Sequence, residues 1–145
     1  MRRSNLLQGT PILLVEDDMI QAIDLTDSFT DAGAIVIGPV STLPEAFELA
    51  RQDACRVAVL NYRIGSGNTL PLAEELYRRG TPFVVHTGYS RVDGLPSHWP
   101  GCQLIFKPAR IPRLIRTVAA LERWSRWVGR SMRRKAAGPR PLLLR

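Results

Sequence analysis

Val57-Ala58-Val59-Leu60-Asn61 is a short apolar run that ends on a polar amide, and its reading decides the fold. Three other runs share its form. Ile12-Leu13-Leu14-Val15 ends on Glu16-Asp17-Asp18, Phe83-Val84-Val85 leads through His86 to Thr87-Gly88, and Leu104-Ile105-Phe106 ends on Lys107-Pro108. Short apolar runs of this kind read as buried strands. In a parallel α/β sheet the carboxyl ends of the strands share one edge, and ligands bind there. The four polar ends would then surround one central side chain with an acidic pair, a hydroxyl and a lysine. That set suits a divalent cation and a phosphoryl group, but Asn61 stands where a nucleophile would be needed.

Working outward, five strands alternate with helices. The strands fall at residues 11–15, 34–38, 56–60, 82–86 and 103–106. A helix over 18–32 presents Ile20, Ile23, Leu25, Phe29 and Ala32 and stops at Gly33. A second, capped by Ser41 or Thr42 with Pro44 in its first turn, runs to about Gln52 and buries Ala46, Phe47, Leu49 and Ala50. Gly65-Ser66-Gly67-Asn68 is a flexible turn. It lacks the Lys-Ser/Thr of a P-loop and the third glycine of a dinucleotide fingerprint. A third helix, about 69–79, presents Leu70, Ala73, Leu76 and Tyr77 before Gly80. Residues 89–102 hold Gly94, Pro96, Pro100 and Gly101, which speaks against a full helix there. The last helix spans about 111–128, with Ile111, Leu114, Ile115, Val118, Leu121 and Val128 as its buried stripe and Gly129 as its stop. The alternation implies a parallel sheet covered on both faces with right-handed crossovers.

The chain has 145 residues, 45% of them hydrophobic, which fits one folded domain. No apolar run approaches the ~20 residues of a membrane span, and the start has no long apolar region of a signal peptide. A cytoplasmic protein with Cys55 and Cys102 as reduced thiols is the expectation. The net charge of +7 is uneven. Residues 1–109 carry −3, whereas residues 110–145 hold 11 basic residues against Glu122, a net of +10. That asymmetry marks residues 129–145 as an interaction tail, disordered in isolation.

The polar strand ends, in this order, resemble the receiver domain of two-component response regulators over residues 9–128. The resemblance implies a flavodoxin-like doubly wound (βα)5 sheet of order 2-1-3-4-5, with the switch point between strands one and three. It places Glu16 and Asp17 at the metal-binding acidic pair and Asn61 at the phosphoacceptor position. Thr87 and Lys107 take the phosphoryl-binding and switch positions, and the backbone carbonyl of Arg63 is a further metal ligand. His86-Thr87-Gly88-Tyr89 is also similar to the Thr-Gly-aromatic segment of the stand-alone alphaproteobacterial "FAT GUY" receivers, with Val85-His86 in place of Phe-Ala. That group shares the eroded fourth helix. The switch aromatic three residues before the lysine is replaced by Leu104.

An aspartate attacks phosphorus through an ionised oxygen, whereas an amide oxygen is a poor nucleophile. Phosphorelay chemistry at Asn61 is therefore not expected. Asn61 also lowers the charge offered to Mg²⁺ from −3 to −2 while keeping a carbonyl oxygen, so Glu16, Asp17, Asn61 and the Arg63 carbonyl would bind it weakly. Lys107 is free to pair with Glu16 or Asp17. Asp18 reads as helix N-terminal charge, His86 as a packed strand-end residue, and His98 as a loop residue without metal-ligand companions.

The expected function is that of a degenerate receiver without enzymatic activity. It would act by contact with a histidine kinase, a phosphotransfer protein or another regulator. Two alternatives stand: an ordinary phosphorelay receiver with an engineered Asp-to-Asn change at 61, and a flavodoxin-like cofactor binder or enzyme. Only 17 residues follow Val128, too few for a DNA-binding domain. Trp124 and Trp127, flanked by Arg123, Arg126 and Arg130, read as an anionic-membrane, nucleic-acid or partner contact. They also suit a continued helix with one tryptophan packed on the core.

Overall fold

The computed structural model describes residues 5–89 and 91–136. Five parallel strands form the sheet: β1 (Pro11–Val15), β2 (Ile35–Val40), β3 (Val57–Asn61), β6 (Phe83–Thr87) and β7 (Cys102–Phe106). A two-stranded antiparallel hairpin, β4 (Arg63–Ile64) and β5 (Gly67–Asn68), follows β3. The sheet order is β2-β1-β3-β6-β7, which is 2-1-3-4-5 once the hairpin is set aside. The described helices are α1 (Met19–Asp31), α2 (Leu43–Arg51), α3 (Leu70–Arg79) and α4 (Ile111–Ala136). Among the described residues between 88 and 101 no helix forms, as the glycines and prolines there require.

The period of two along each strand divides the core into two layers. Ile12, Leu14, Val57, Val59, Val84 and Ile105 face α1 and α4, meeting Leu25, Phe29, Leu114 and Val118. Leu13, Val15, Ala58, Leu60, Phe83 and Val85 face α2 and α3, meeting Ala46, Ala50, Leu72 and Leu76. In the space left by the missing helix, Trp99 packs on Phe83, Tyr77 and Trp124 at ring-centroid distances of 6.0, 5.1 and 5.5 Å. A Cβ on Gly101 would lie 2.6 Å from Trp99 and 2.8 Å from Trp124, so only glycine fits beneath those rings. Cys55 and Cys102 are free thiols, pushed up to about 11 by burial.

Three expectations change. On α1 the buried residues are Ala22, Leu25 and Phe29. Ile20 and Ile23 point outward at 74% and 54% exposure, because the helix places positions 22, 25 and 29 over the sheet. On α2 and α3, Phe47, Leu49 and Leu70 are only partly covered and Tyr77 is exposed. The last helix does not stop at Val128 but continues through Gly129 to Ala136. One glycine costs a helix only about 1 kcal/mol, and the Arg, Met, Lys and Ala residues beyond it favour helix. Residues 137–145 of the expected tail lie outside the described residues.

The phase of α1 is directly testable by denaturant unfolding. Leu25→Ala, at a buried position on α1, should cost about 2–5 kcal/mol. Ile23→Ala should change stability by less than about 1 kcal/mol.

Candidate functional site

The carboxyl edge of the sheet gathers the polar residues that end the strands. Parallel register sets Val15 beside Leu60 and Asn61 beside His86, so Glu16, Asn61 and Thr87 emerge on one rim. Glu16 is 3% exposed. Its Oε2 accepts from the Asp18 N–H at 3.2 Å and its Oε1 from Lys107 Nζ at 3.3 Å. Lys107 arrives from the end of β7, its backbone N–H donating to the Thr87 carbonyl at 2.6 Å.

Asn61 sits at the centre of a closed network. Its Oδ1 accepts from Lys107 Nζ at 3.1 Å. Its Nδ2 donates to the Arg63 carbonyl at 2.8 Å and to Asp17 Oδ1 at 3.4 Å. Asp17 Oδ2 accepts from the Gly65 N–H at 2.9 Å, which ties the β4–β5 turn to the acidic pair. Thr69 Oγ1 donates to the Asn61 carbonyl at 2.8 Å and fixes the backbone behind the site. Chemistry decides the amide's orientation: a flip would set Oδ1 against two oxygens and Nδ2 against an ammonium.

The structure thus brings Glu16, Asp17, Asn61, Arg63 and Lys107 into direct contact. Thr87 is fully buried at the same rim, and its Oγ1 accepts from the Tyr89 N–H at 3.0 Å. Asp18 is the N-cap of α1, its carboxylate accepting from Gln21 N at 3.0 Å. That backbone bond is the main reason its carboxyl lies below the usual range. Gln21 is the site residue that sequence reading missed; its Oε1 accepts from Lys107 Nζ. Nothing in the sequence signals it: the capping-box spacing Asp18-x-x-Gln21 would send the Gln21 side chain back to the Asp18 N–H, which here donates to Glu16 instead.

Oxygens for a divalent cation are present in Glu16, Asp17 and the Arg63 carbonyl, and each already accepts a proton from the protein. Among the described residues no group of three or more His, Cys, Asp or Glu forms a metal cluster. A cation must displace the Asn61 amide from Asp17 and Arg63, so the residues fit Mg²⁺ only as a weak site.

With the geometry described, known proteins can be compared. No protein-family model and no curated sequence matches the chain. Solved structures do match. A response regulator receiver protein from Sinorhizobium medicae superposes with a TM-score of 0.72 at 24% identity, covering 81% of this chain and 97% of that one. A CheY-like receiver domain from Methanospirillum hungatei gives 0.68 at 16% identity, covering 82% and 98%. A Thermotoga maritima response regulator in complex with Mg²⁺ and BeF gives 0.66 at 18%, covering 77% and 98%. The chain has the receiver fold. Among the described residues of this receiver fold, no helix is long and apolar enough to cross a membrane.

His86, behind Asn61, is 7% exposed, and neither ring nitrogen has a hydrogen-bond partner among the described groups. Burial first, and the Lys107 charge second, lower its pKa to about 4. The folded imidazole stays neutral while the unfolded one takes up a proton below about 6.5, so folding loses stability as pH falls from about 6.5 to about 4. His86→Leu should remove that part of the pH dependence. Urea unfolding of both proteins between those pH values should show the variant gaining on the wild type as pH falls.

Proposed function

We propose that the chain is a degenerate receiver of two-component signalling, related to the alphaproteobacterial Thr-Gly-aromatic group, which works by protein contact without aspartyl phosphorylation. The observation that carries this reading is the Asn61 amide, held at once by Lys107, Asp17 and the Arg63 carbonyl. In an aspartate receiver, the ion and the incoming phosphoryl group would bring those elements together. Here the amide does so itself, with its NH₂ on Asp17 and the Arg63 carbonyl and Lys107 on its oxygen. An amide offers no ionised oxygen to attack phosphorus, so the site has the architecture of phosphotransfer without its nucleophile. The group reading is supported by Val85-His86-Thr87-Gly88-Tyr89 and by the absence of a helix among the described residues between 88 and 101.

The contact surface we assign is the start of α1, where Met19, Ile20 and Ile23 are 77%, 74% and 54% exposed beside Asp17 and Asp18. An apolar patch rimmed by charge suits a histidine kinase, a phosphotransfer protein or another regulator. Catalysis is not part of this reading.

Acetyl phosphate with Mg²⁺ should leave the intact mass of the protein unchanged. Asn61→Asp should acquire one hydroxylamine-sensitive phosphate, since Glu16, Asp17, Thr87 and Lys107 remain in place. Phosphate on the unaltered chain would refute the reading, and an unlabelled Asn61→Asp would show that the rest of the site has drifted.

Mg²⁺ competes with the Asn61 NH₂ group, and an aspartate would add a charge in its place. Asn61→Asp should therefore bind Mg²⁺ roughly tenfold or more tightly, followed by amide NMR shifts near Asp17. Equal affinities would remove the competition argument.

A further inference from the structure

At the opposite, amino edge of the sheet, a cavity of about 570 Å³ opens between the Glu122–Arg130 stretch of α4 and the segments that enter β3 and β6. Its volume lies in the range of small-molecule sites, roughly 300–1,000 Å³. We propose that it binds a small polyanion of the pyrophosphate class. The inference is independent of the receiver reading, because none of its residues belongs to the Asn61 network.

Three guanidinium groups line the cavity: Arg56 before β3, and Arg126 and Arg130 on α4. One carboxylate, Glu122, lies among them and is 7% exposed. Arg56 Nη1 meets Glu122 Oε1 at 3.2 Å, and Arg126 Nε donates to the same oxygen. Glu122 therefore holds two half-exposed arginines in fixed positions and leaves the wall with a net charge of +2. Arg130 lies one turn beyond Arg126 on the same face of the helix and has no ion-pair partner among the described residues. A planar guanidinium with fixed donors is well matched to phosphate oxygens. Ser125 and Thr81 add hydroxyl groups to the lining.

The remaining charges nearby do not reverse this sign. The carbonyl end of α3 faces this edge at Gly80, and its last turn holds Arg78 and Arg79, both paired with Glu75, which leaves a net +1 there. Asp53 is felt at Cys55 and is opposed there by Arg79. Gly129 lines the cavity without a side chain to fill it. The continuation of α4 through Gly129 carries Arg130 to the wall; a helix ending at Val128 would not. The concave shape and the short span between the arginines favour a compact multivalent anion over a long polymer.

Calorimetry of the full chain with inorganic pyrophosphate, in about 150 mM NaCl to screen diffuse attraction, tests this. One pyrophosphate should bind per chain. Arg130→Ala should weaken it roughly tenfold, the effect of losing one charge-assisted contact. Arg116→Ala removes the same charge about 21 Å back along the helix, beside a different cavity, and should change affinity less than roughly twofold. Neither arginine has an ion-pair partner among the described residues, so both variants should fold, which circular dichroism verifies. Absence of binding, equal losses in both variants, or more than one pyrophosphate per chain would overturn the proposal.

Discussion

The carboxyl edge depends on one group, the side-chain amide of Asn61, which is a donor and an acceptor at once. Lys107 gives a proton to one end while Asp17 and the Arg63 carbonyl take protons from the other. A carboxylate in the same position is acceptor-only when ionised. It would face the Asp17 carboxylate and the Arg63 carbonyl oxygen to oxygen, and would need a cation between them. The amide supplies that bridge without an ion. Lys107 in turn neutralises Glu16 inside the protein, where an unpaired carboxylate would be strongly destabilising.

Charge is sorted along the molecule in the same sense as the two sites. Residues 5–50 contain eight acidic side chains and no Lys or Arg, whereas residues 110–145 carry a net +10. The first group includes the acidic pair and α1; the second includes α4. The two helices pack on one face of the sheet through Leu25, Phe29, Leu114 and Val118. Their opposite charges meet solvent, so partners of opposite sign are directed to different parts of one small surface. The Asn61 rim faces one way and the arginine-lined cavity the other, with the rigid strands between them.

Much of this was legible in the residues, for a physical reason. A strand buried on both faces must be apolar until it ends, so Glu16, Asn61, Thr87 and Lys107 each announce a strand end and a common rim. The missing helix was equally readable, since Pro96, Pro100 and the glycines oppose one directly. Reading was less secure where energies were small. Ile20 and Ile23 look like core residues by hydrophobicity, but only the sheet's position fixes which side of α1 is covered. Gly129 looks like a stop, but its cost is about 1 kcal/mol, less than nearby contacts and good helix formers supply. The β4–β5 hairpin has two-residue strands, too short for any periodic pattern, and it is anchored by the distant Asp17 carboxylate. The amide's orientation could not be read at all. It follows from three partners that come from the β1–α1 connection, the β4–β5 hairpin and the β7–α4 connection, which only the fold brings together.

The same network bears on how such a protein could signal. A receiver that responds to phosphate needs two arrangements of similar free energy, with the phosphoryl group favouring one. Here the lysine, the acidic pair and the central side chain are already joined, and Leu104 replaces the aromatic that would move. In the proposed reading, nothing remains for a phosphoryl group to rearrange at the rim. Met19, Ile20 and Ile23 on α1 follow directly from Asp17 and Asp18, so fixing the acidic pair also fixes the start of that helix through the Asp18 cap and the Gln21–Lys107 bond. The apolar patch is then presented in one orientation at all times. In the proposed reading a contact made there has its affinity set by the patch and its acidic surround, and control of the output falls to the abundance or state of the partner.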